Sequence, residues 1–214
     1  MPVDLVTLRD PNSAAAEAFR TLRTNIQFSS LDRQLRTLLV TSAAAGEGKS
    51  DAIANLAVTM AQAELRVILV DCDLRRPALH TIFGAPNERG LTTLMLDETT
   101  APAFHATEIE GLRLLPAGPL HERPADLLGS RRLEAVIERL KADADIVLFD
   151  APPVITVTDA AVLATKVDGT LLVARAGKTR RDRAREAVQL LQKVNAHVIG
   201  VVLTNARVEK DTAY

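Results

Sequence analysis

The fold is decided by the stretch Thr37-Leu-Leu-Val-Thr41-Ser42-Ala-Ala-Ala-Gly46-Glu-Gly48-Lys49-Ser50, which an apolar helical segment follows. An apolar strand, a loop of small residues and the start of a helix meet here, so backbone N–H groups of the first helical turn are left without partners. The helix dipole adds partial positive charge at the same place. The pattern predicts a loop that binds the phosphate groups of a nucleotide.

Two side chains at the end of this loop have the chemistry that such a site uses. Lys49 supplies a charge that can reach the outer phosphates, and Ser50 has the hydroxyl that ligates magnesium at this position. The usual pattern opens with glycine where this chain has Ala43, so an alanine-rich structural turn is the alternative interpretation. Gly46 and Gly48 still permit the tight turn that a phosphate loop needs.

Composition limits the classes of protein to consider. The 214 residues are 47% apolar, enough for one core, and 26 basic against 27 acidic side chains give a net charge of -1, so no overall field favours nucleic acid or anionic lipid. The single cysteine, Cys72, excludes an internal disulfide and predicts a buried thiol in a cytoplasmic protein. No apolar run is long enough to span a bilayer, so we expect a partner to supply any membrane contact.

Apolar runs alternate with helical periodicity along the chain. The predicted strands are Thr37–Thr41, Val67–Val70, Leu112–Leu115, Ile146–Phe149, Gly169–Ala174 and Val198–Leu203. The predicted helices are Ala14–Gln27, Ser50–Glu64, Ala125–Gly129, Arg131–Ala142, Asp159–Ala164 and Arg181–Val194. This alternation is typical of a mostly parallel sheet with helices on both faces, so we expect one α/β domain over residues 1–214, a three-layer α/β/α sandwich.

Acidic residues follow two of the predicted strands. Asp71 and Asp73 follow the second strand, Asp150 follows the fourth, and the carboxyl ends of parallel strands gather at the edge that carries the phosphate loop. Alone, each is more typical of a helix or turn cap. Beside the loop, Asp150 can hold magnesium through water. If the second strand continues as far as Asp73, then Asp71 and Asp73 lie on the same side of it. One of them can then serve the metal while the other faces an attacking hydroxyl group. These residues satisfy the needs of phosphoryl transfer.

With these motifs the chain resembles the bacterial tyrosine kinases of capsule and exopolysaccharide systems, which are P-loop relatives of the partition and septum-positioning ATPases. The resemblance covers nearly the whole chain. It rests on Glu17-Ala-Phe-Arg20-Thr-Leu-Arg23-Thr-Asn-Ile26, Gly46-Glu-Gly-Lys-Ser50, Val70-Asp-Cys-Asp-Leu-Arg-Arg-Pro77, Leu79-His80, Phe83-Gly84, Asp150-Ala-Pro-Pro153 and Ala176-Gly-Lys-Thr-Arg-Arg-Asp182.

The resemblance assigns roles to the site residues. It implies ATP or ADP with Mg²⁺ as cofactors. The catalytic residues would be Lys49, Asp71 and Asp73, with Asp71 as the base that accepts the proton of a tyrosine hydroxyl. The residues that hold the metal would be Ser50, Asp73 and Asp150. The residues expected to contact the nucleotide are Ala45, Gly46, Glu47, Gly48, Lys49, Ser50, Asp51 and Asn205. Asn205 corresponds to the adenine contact of the family, although by spacing alone a turn asparagine is an equal alternative.

The resemblance also implies an assembly. Glu17, Arg20 and Arg23, on a helix within residues 1–30, match a motif that builds a ring of subunits in the family, although by spacing alone they could form a solvated helix face. In such a ring each subunit phosphorylates the C-terminal tail of the next, here residues 206–214. The acceptors are protein tyrosines, and this chain has a single tyrosine, Tyr214, where the family carries a cluster.

The expected partner is a transmembrane adaptor of the polysaccharide co-polymerase type, which activates such kinases and recruits them to the inner face of the plasma membrane. Nucleic acid is not expected as a partner. The basic residues Lys178, Arg180, Arg181, Arg183 and Arg185 lack interleaved aromatic residues, so they favour a solvated helix face or a surface for an acidic partner.

Two other functions stay open from the sequence. A nucleotide-switched positioning ATPase has the same loop, but it typically carries a second lysine early in the loop, where this chain has Ser42 and then alanines. A catalytically weak scaffold of the polysaccharide machinery is consistent with Ala43, with the missing tyrosine cluster and with Asp51. The carboxylate of Asp51 follows the magnesium-binding serine and would repel the α-phosphate.

Overall fold

The described part of the chain, residues 4–29, 35–97 and 99–206, forms one seven-stranded sheet in this computed structural model. The strands are β1 Thr37–Ser42, β2 Val67–Asp71, β3 His105–Ala106, β4 Leu112–Leu115, β5 Ile146–Asp150, β6 Gly169–Arg175 and β7 Val198–Thr204. Their order across the sheet is β3-β4-β2-β5-β1-β6-β7, and every pair is parallel except β3 with β4.

The helices cover both faces of this sheet. They are α1 Val6–Arg9, α2 Ala14–Phe28, α3 Lys49–Ala61, α4 Leu79–Ile82, α5 Leu91–Leu96, α6 Pro124–Gly129, α7 Arg131–Ala142, α8 Asp159–Ala164 and α9 Arg181–Lys193. Two hydrophobic clusters separate the layers: residues of α1 to α4 pack on one face, and residues of α5 to α9 pack on the other. The predicted three-layer α/β/α sandwich with a mostly parallel sheet is confirmed.

The central strands are apolar along their whole length because helices cover both of their faces. Every residue of β1, β2 and β5 is buried, which explains why these segments read as continuous hydrophobic runs and not as an alternation. The edge strand β7 differs, since Val201 and Leu203 are 56% and 57% exposed. The expectation that both faces are covered therefore fails at this edge, within the described residues.

All six predicted strands are present, but four short elements were not predicted. They are α1, α4, α5 and the antiparallel strand β3, which have 4, 4, 6 and 2 residues. The start of α4 depends on a residue outside the helix, because the Asp71 carboxylate accepts hydrogen bonds from the N–H groups of Ala78 and Leu79. Such a contact has no local signature in the sequence.

Two expectations about residue environment can be compared with the fold. Cys72 is buried and carries a free thiol, as predicted, and burial together with the neighbouring Asp71 carboxylate raises its pKa. Over the described ranges, we find no helix whose length and apolarity suffice to cross a bilayer.

Candidate functional site

The phosphate loop has the strand, loop and helix arrangement that the sequence predicts. β1 ends at Ser42, the loop follows, and α3 begins at Lys49 with Gly48 as its N-cap. Gly46 and Gly48 have φ angles of 73° and 80°, a conformation that glycine adopts without steric cost. The two glycines therefore shape the loop, and the open N-terminus of α3 faces the ligand side.

Lys49 lies at the centre of the site. Its Nζ is 3.0 Å from Asp73 Oδ2, 3.2 Å from Asp150 Oδ1 and 3.2 Å from the hydroxyl oxygen of Ser50. The Ser50 hydroxyl in turn donates a hydrogen bond to Asp150 at 2.5 Å. The structure thus brings together the four residues that the sequence placed on three separate segments.

The electrostatics of this cluster follow from its burial. Burial alone lowers the pKa of Lys49, but the carboxylates of Asp150 and Asp73 outweigh it, so the pKa is raised and the side chain stays charged. Burial raises the pKa of Asp150, and Lys49 offsets only part of that rise. Two buried carboxylates thus share one ammonium group, so the cluster has an excess of negative charge that favours the binding of a further cation.

The donor set fits a magnesium ion. Two carboxylates and a hydroxyl oxygen already surround a cation, the ammonium group of Lys49, and oxygen atoms are the ligands that Mg²⁺ prefers. In the part of the chain that the structure describes, no cluster of three or more acidic, histidine or cysteine side chains could hold a metal by itself. Water or other oxygen ligands would have to complete the coordination of an ion held here.

Asp71 occupies a different environment from Asp73. β2 ends at Asp71, so the condition for the two acids to share one side of a strand is not met. The Asp71 carboxylate is fully buried and accepts three backbone hydrogen bonds, from Asp73, Ala78 and Leu79. Burial and the neighbouring Asp150 carboxylate nevertheless raise its pKa to about 7. Asp71 therefore caps α4 and has the pKa of a group that can exchange a proton near neutral pH.

A cleft of about 780 Å³ opens beside the phosphate loop. The loop and the start of α3 line one side, and the segments that follow β2 and β5 line the other. Lys49, Ser50 and Asp73 face this cleft, while Pro77, Ile82, Pro153 and Val157 add apolar surface. The cleft therefore combines a phosphate-binding wall with apolar walls that suit an aromatic ring.

Asn205 lies in a second cavity, of about 490 Å³, on the other side of the loop. It follows β7 with a φ angle of 53°, and Gly48, Asp51 and Arg175 line the same cavity. Asp51 lines both cavities, so it stands between the phosphate cleft and the position of Asn205. The place of Asn205 beside the loop is compatible with a contact to the base of a nucleotide.

Three residues at and just after the end of β6 brace the phosphate loop, a role that the sequence analysis did not assign to them. Thr179 donates a hydrogen bond to the buried Glu47 carboxylate, which also accepts one from the N–H of Ala44. Lys178 and Arg175 donate to the carbonyl oxygen of Gly46. Lys178 was predicted as part of a basic surface, but it precedes α9 and lies against the loop. The only signal was its place in the motif that begins at Ala176.

The predicted oligomerisation residues make contacts within their own chain. Glu17 pairs with Arg20 at 2.6 Å, and Arg23 donates to the carbonyl oxygen of Thr59 on α3. Their role in an assembly stays a prediction. Tyr214, the predicted phosphate acceptor, lies outside the described residues.

Comparisons with known proteins agree with this geometry. Residues 34–210 match the family model described as ParA, NUBPL iron-transfer P-loop NTPase. The chain is 37% identical to the tyrosine-protein kinase YwqD of Bacillus subtilis over 100% of this chain and 91% of that protein. It is also 37% identical to the putative tyrosine-protein kinase CapB of Staphylococcus aureus, over 95% of this chain and 90% of that protein.

A solved structure has the same fold over the full length of the chain. The kinase domain of the Escherichia coli tyrosine kinase ETK superposes with a TM-score of 0.92 at 29% identity, over 100% of this chain and 84% of that one. The resemblance inferred from the motifs is confirmed by these matches.

Proposed function

The chain belongs to the bacterial tyrosine-protein kinases, within the ParA-type P-loop NTPases, and we propose that its cleft transfers the terminal phosphoryl group of ATP to a tyrosine hydroxyl. One observation carries the proposal: Lys49, Ser50, Asp73 and Asp150 converge at the phosphate loop. This is the arrangement of charges that phosphoryl transfer requires, since such catalysis consists mainly of positioning and electrostatic stabilisation.

Each residue has a distinct task in this proposal. The loop amides and Lys49 bind the phosphates, while Ser50, Asp73 and Asp150 hold Mg²⁺, directly or through water. When bound, the ion supplies positive charge against the phosphate oxygens. Asp71, with its raised pKa, accepts the proton of the tyrosine hydroxyl. The apolar surface of Pro77, Ile82, Pro153 and Val157 receives the aromatic ring.

The proposed acceptor in this chain is Tyr214. β7 ends beside the phosphate loop, where the hydroxyl of Thr204 donates a hydrogen bond to the carbonyl oxygen of Glu47 at 2.7 Å. The tail therefore starts at the nucleotide edge of the sheet, and nine residues beyond Asn205 span at most roughly 30 Å when extended. We propose that the tail enters the cleft of a neighbouring subunit in a ring that Glu17, Arg20 and Arg23 help to build.

The wider role of the kinase follows from its family. We propose that it regulates the synthesis and export of capsular or other exported polysaccharide. A transmembrane adaptor would activate it and bring it from the cytoplasm to the inner face of the membrane.

Phosphorylation of Tyr214 is the direct test of the activity. We expect purified protein incubated with ATP and Mg²⁺ to gain phosphate on Tyr214, detected by mass spectrometry, and to phosphorylate a synthetic tyrosine-containing peptide. Tyr214→Phe should lose the first modification and keep the second, because the change leaves the cleft intact. Phosphate release without any modified tyrosine, on the chain or the peptide, would instead indicate a nucleotide-switched ATPase.

A mixing experiment distinguishes transfer between subunits from transfer within one. Lys49→Met protein, which keeps Tyr214, is mixed with Tyr214→Phe protein, which keeps the cleft. Phosphate on Tyr214 of the Lys49→Met chain supports transfer between subunits. If wild-type protein is modified but the mixture is not, the tail is phosphorylated within its own subunit.

Asp51 is expected to weaken nucleotide binding. Its exposed carboxylate lies in the first turn of α3 between the two cavities, so it faces the negative charge of a bound nucleotide. At 4 Å, like charges repel by about 1 kcal/mol in water and about 4 kcal/mol near a protein surface. We therefore expect Asp51→Thr to lower the Kd for ADP at least fivefold by calorimetry. An unchanged or higher Kd would contradict this.

A further inference from the structure

Two bidentate ion pairs join the segments next to β2 and β5, at opposite ends of these neighbouring strands. At the end that carries the cleft, the Arg75 guanidinium donates to both carboxylate oxygens of Asp159, at 2.9 and 3.0 Å. At the other end, Arg66 precedes β2 and donates to both oxygens of Asp145, which precedes β5. The strands are therefore clamped at both ends, and only one clamp lies at the functional site.

The pair at the cleft is built differently from the other. The Asp159 side chain is 0% exposed, whereas that of Asp145 is 39% exposed. Among the residues that the structure describes, Arg75 is the one cation paired with Asp159. A buried carboxylate without its partner is strongly unfavourable, so this pair holds its geometry more firmly than an exposed pair does.

The two partners belong to the chain segments that follow β2 and β5, which together line the side of the cleft opposite the phosphate loop. Arg75 is two residues beyond Asp73, and Asp159 begins α8, which the segment after Asp150 leads into. Arg75 itself lines the cleft, as do Pro153 and Val157 of the other segment. The pair thus joins the segment that carries Asp73 to the segment that follows Asp150.

We propose that Arg75 and Asp159 are positioning residues that fix the distance between these two segments, so that the carboxylates of Asp73 and Asp150 face the same cation. This inference rests on the proposed function, since it assumes a magnesium nucleotide in the cleft. Neither residue contacts the reacting atoms. Both act through Asp73 and Asp150, by preventing the two segments from moving apart.

The test compares the two clamps with isosteric changes. Asp159→Asn keeps the shape of the side chain but removes the charge and one acceptor, and Asp145→Asn is the matched control at the far end of the same strands. We expect Asp159→Asn to raise at least fivefold the Mg²⁺ concentration that gives half-maximal binding of a fluorescent ATP analogue. For Asp145→Asn we expect less than a twofold change. Only folded protein, as judged by circular dichroism and thermal melting, is compared.

A second variant and a double variant keep the test decisive. Arg75→Lys retains the charge and loses the bidentate geometry, so we expect an intermediate rise in the Mg²⁺ concentration for half-maximal binding. This variant replaces Asp159→Asn in the test if Asp159→Asn does not fold. The double variant Arg75→Lys, Asp159→Asn should be no worse than Asp159→Asn alone, because the two residues act as one unit. Equal magnesium midpoints for the folded Asp159 or Arg75 variants and the Asp145 control would overturn the inference.

The proposed function and this inference fail in different ways. If wild-type protein does not bind the ATP analogue with Mg²⁺, the proposed function itself fails. If wild-type protein binds it and the folded variants bind it with the same magnesium midpoint, only the positioning role fails.

Discussion

Lys49→Met is expected to lower the rate of tyrosine phosphorylation by about 10²- to 10³-fold, the range found when a preorganised group that stabilises the transition state is removed. The reason is the position of the Lys49 ammonium group. It is the positive charge that lies beside Ser50, Asp73 and Asp150, on a flexible side chain that can reach the phosphates. The measurement is the initial rate of phosphate transfer from ATP to a tyrosine peptide. A rate within tenfold of wild type would contradict the role of Lys49.

The same substitution should also destabilise the protein in the absence of magnesium. Methionine leaves the buried Asp150 carboxylate without its ion-pair partner, and breaking such a pair costs about 3–5 kcal/mol. We expect this loss in urea unfolding with EDTA at pH 8.

The loss should depend on pH. Burial already raises the pKa of Asp150, and removal of Lys49 takes away the charge that offsets this rise. A carboxyl group with a raised pKa in the folded state binds a proton more tightly there than in the unfolded chain, so its contribution to stability is lost as the pH rises through that pKa. The deficit of Lys49→Met relative to wild type should therefore be smaller at pH 5.5 than at pH 8.

Lys166→Met is a suitable control. The Lys166 side chain is 12% exposed, as is that of Lys49, and it pairs with Glu134 away from the cleft. Its partner is 57% exposed, so water can solvate the remaining carboxylate. We expect little loss of stability and none of activity. Equal effects for both lysines would show that burial of the side chain, and not its place among the acids, determines the result.

The architecture could be predicted from sequence because its signals are local. Each central strand is a continuous apolar run, and the run from Thr37 to Ser50 contains strand, loop and helix start without interruption. At least one element that escaped prediction depends on a contact outside its own segment. α4 is an example, since the carboxylate that caps it belongs to the end of β2.

The site was predictable to the extent that its residues lie at or shortly after the ends of strands. Lys49, Ser50, Asp73 and Asp150 meet because parallel strands bring their carboxyl ends to one edge, a rule that needs no coordinates. The brace of the loop was not predictable, since Thr179 and Lys178 reach it from a turn more than 120 residues away. The motif that begins at Ala176 marks this segment, but its residue types do not indicate which contact they make. The same holds for the pair of Arg75 with Asp159.

Asp71→Asn is expected to separate binding from chemistry. A general base contributes typically about 10² to 10⁴-fold, so we expect a loss of that size in the rate of tyrosine phosphorylation. Binding of ADP should change less than about threefold, because the Asp71 carboxylate makes its hydrogen bonds to Asp73 and to the start of α4 and none to the phosphate loop. The measurements are the transfer rate to a tyrosine peptide and the Kd by calorimetry.

The structure offers a competing role for Asp71, that of a helix cap alone. Asparagine can still accept the hydrogen bonds from Ala78 and Leu79, but its amide N–H faces the donor of Asp73 and loses that bond. Asp168→Asn is the matched control, since the Asp168 carboxylate accepts bonds from the N–H groups of Arg36 and Thr37 at the opposite end of the sheet. If Asp71 is only a cap, both variants lose stability and keep the transfer rate per folded molecule.

The pH dependence of the rate decides between the two roles. The pKa of Asp71 is raised to about 7 by burial and by the Asp150 carboxylate, and a base must be deprotonated to act. The rate in wild type should therefore fall as the pH is lowered through the pKa of Asp71, which a cation beside Asp150 shifts below 7. In Asp71→Asn this acidic limb should disappear, leaving a slow rate that varies little between pH 5.5 and 8. If the rate of the variant still falls as the pH is lowered, the titrating group is another residue, and the role of Asp71 is only to cap α4.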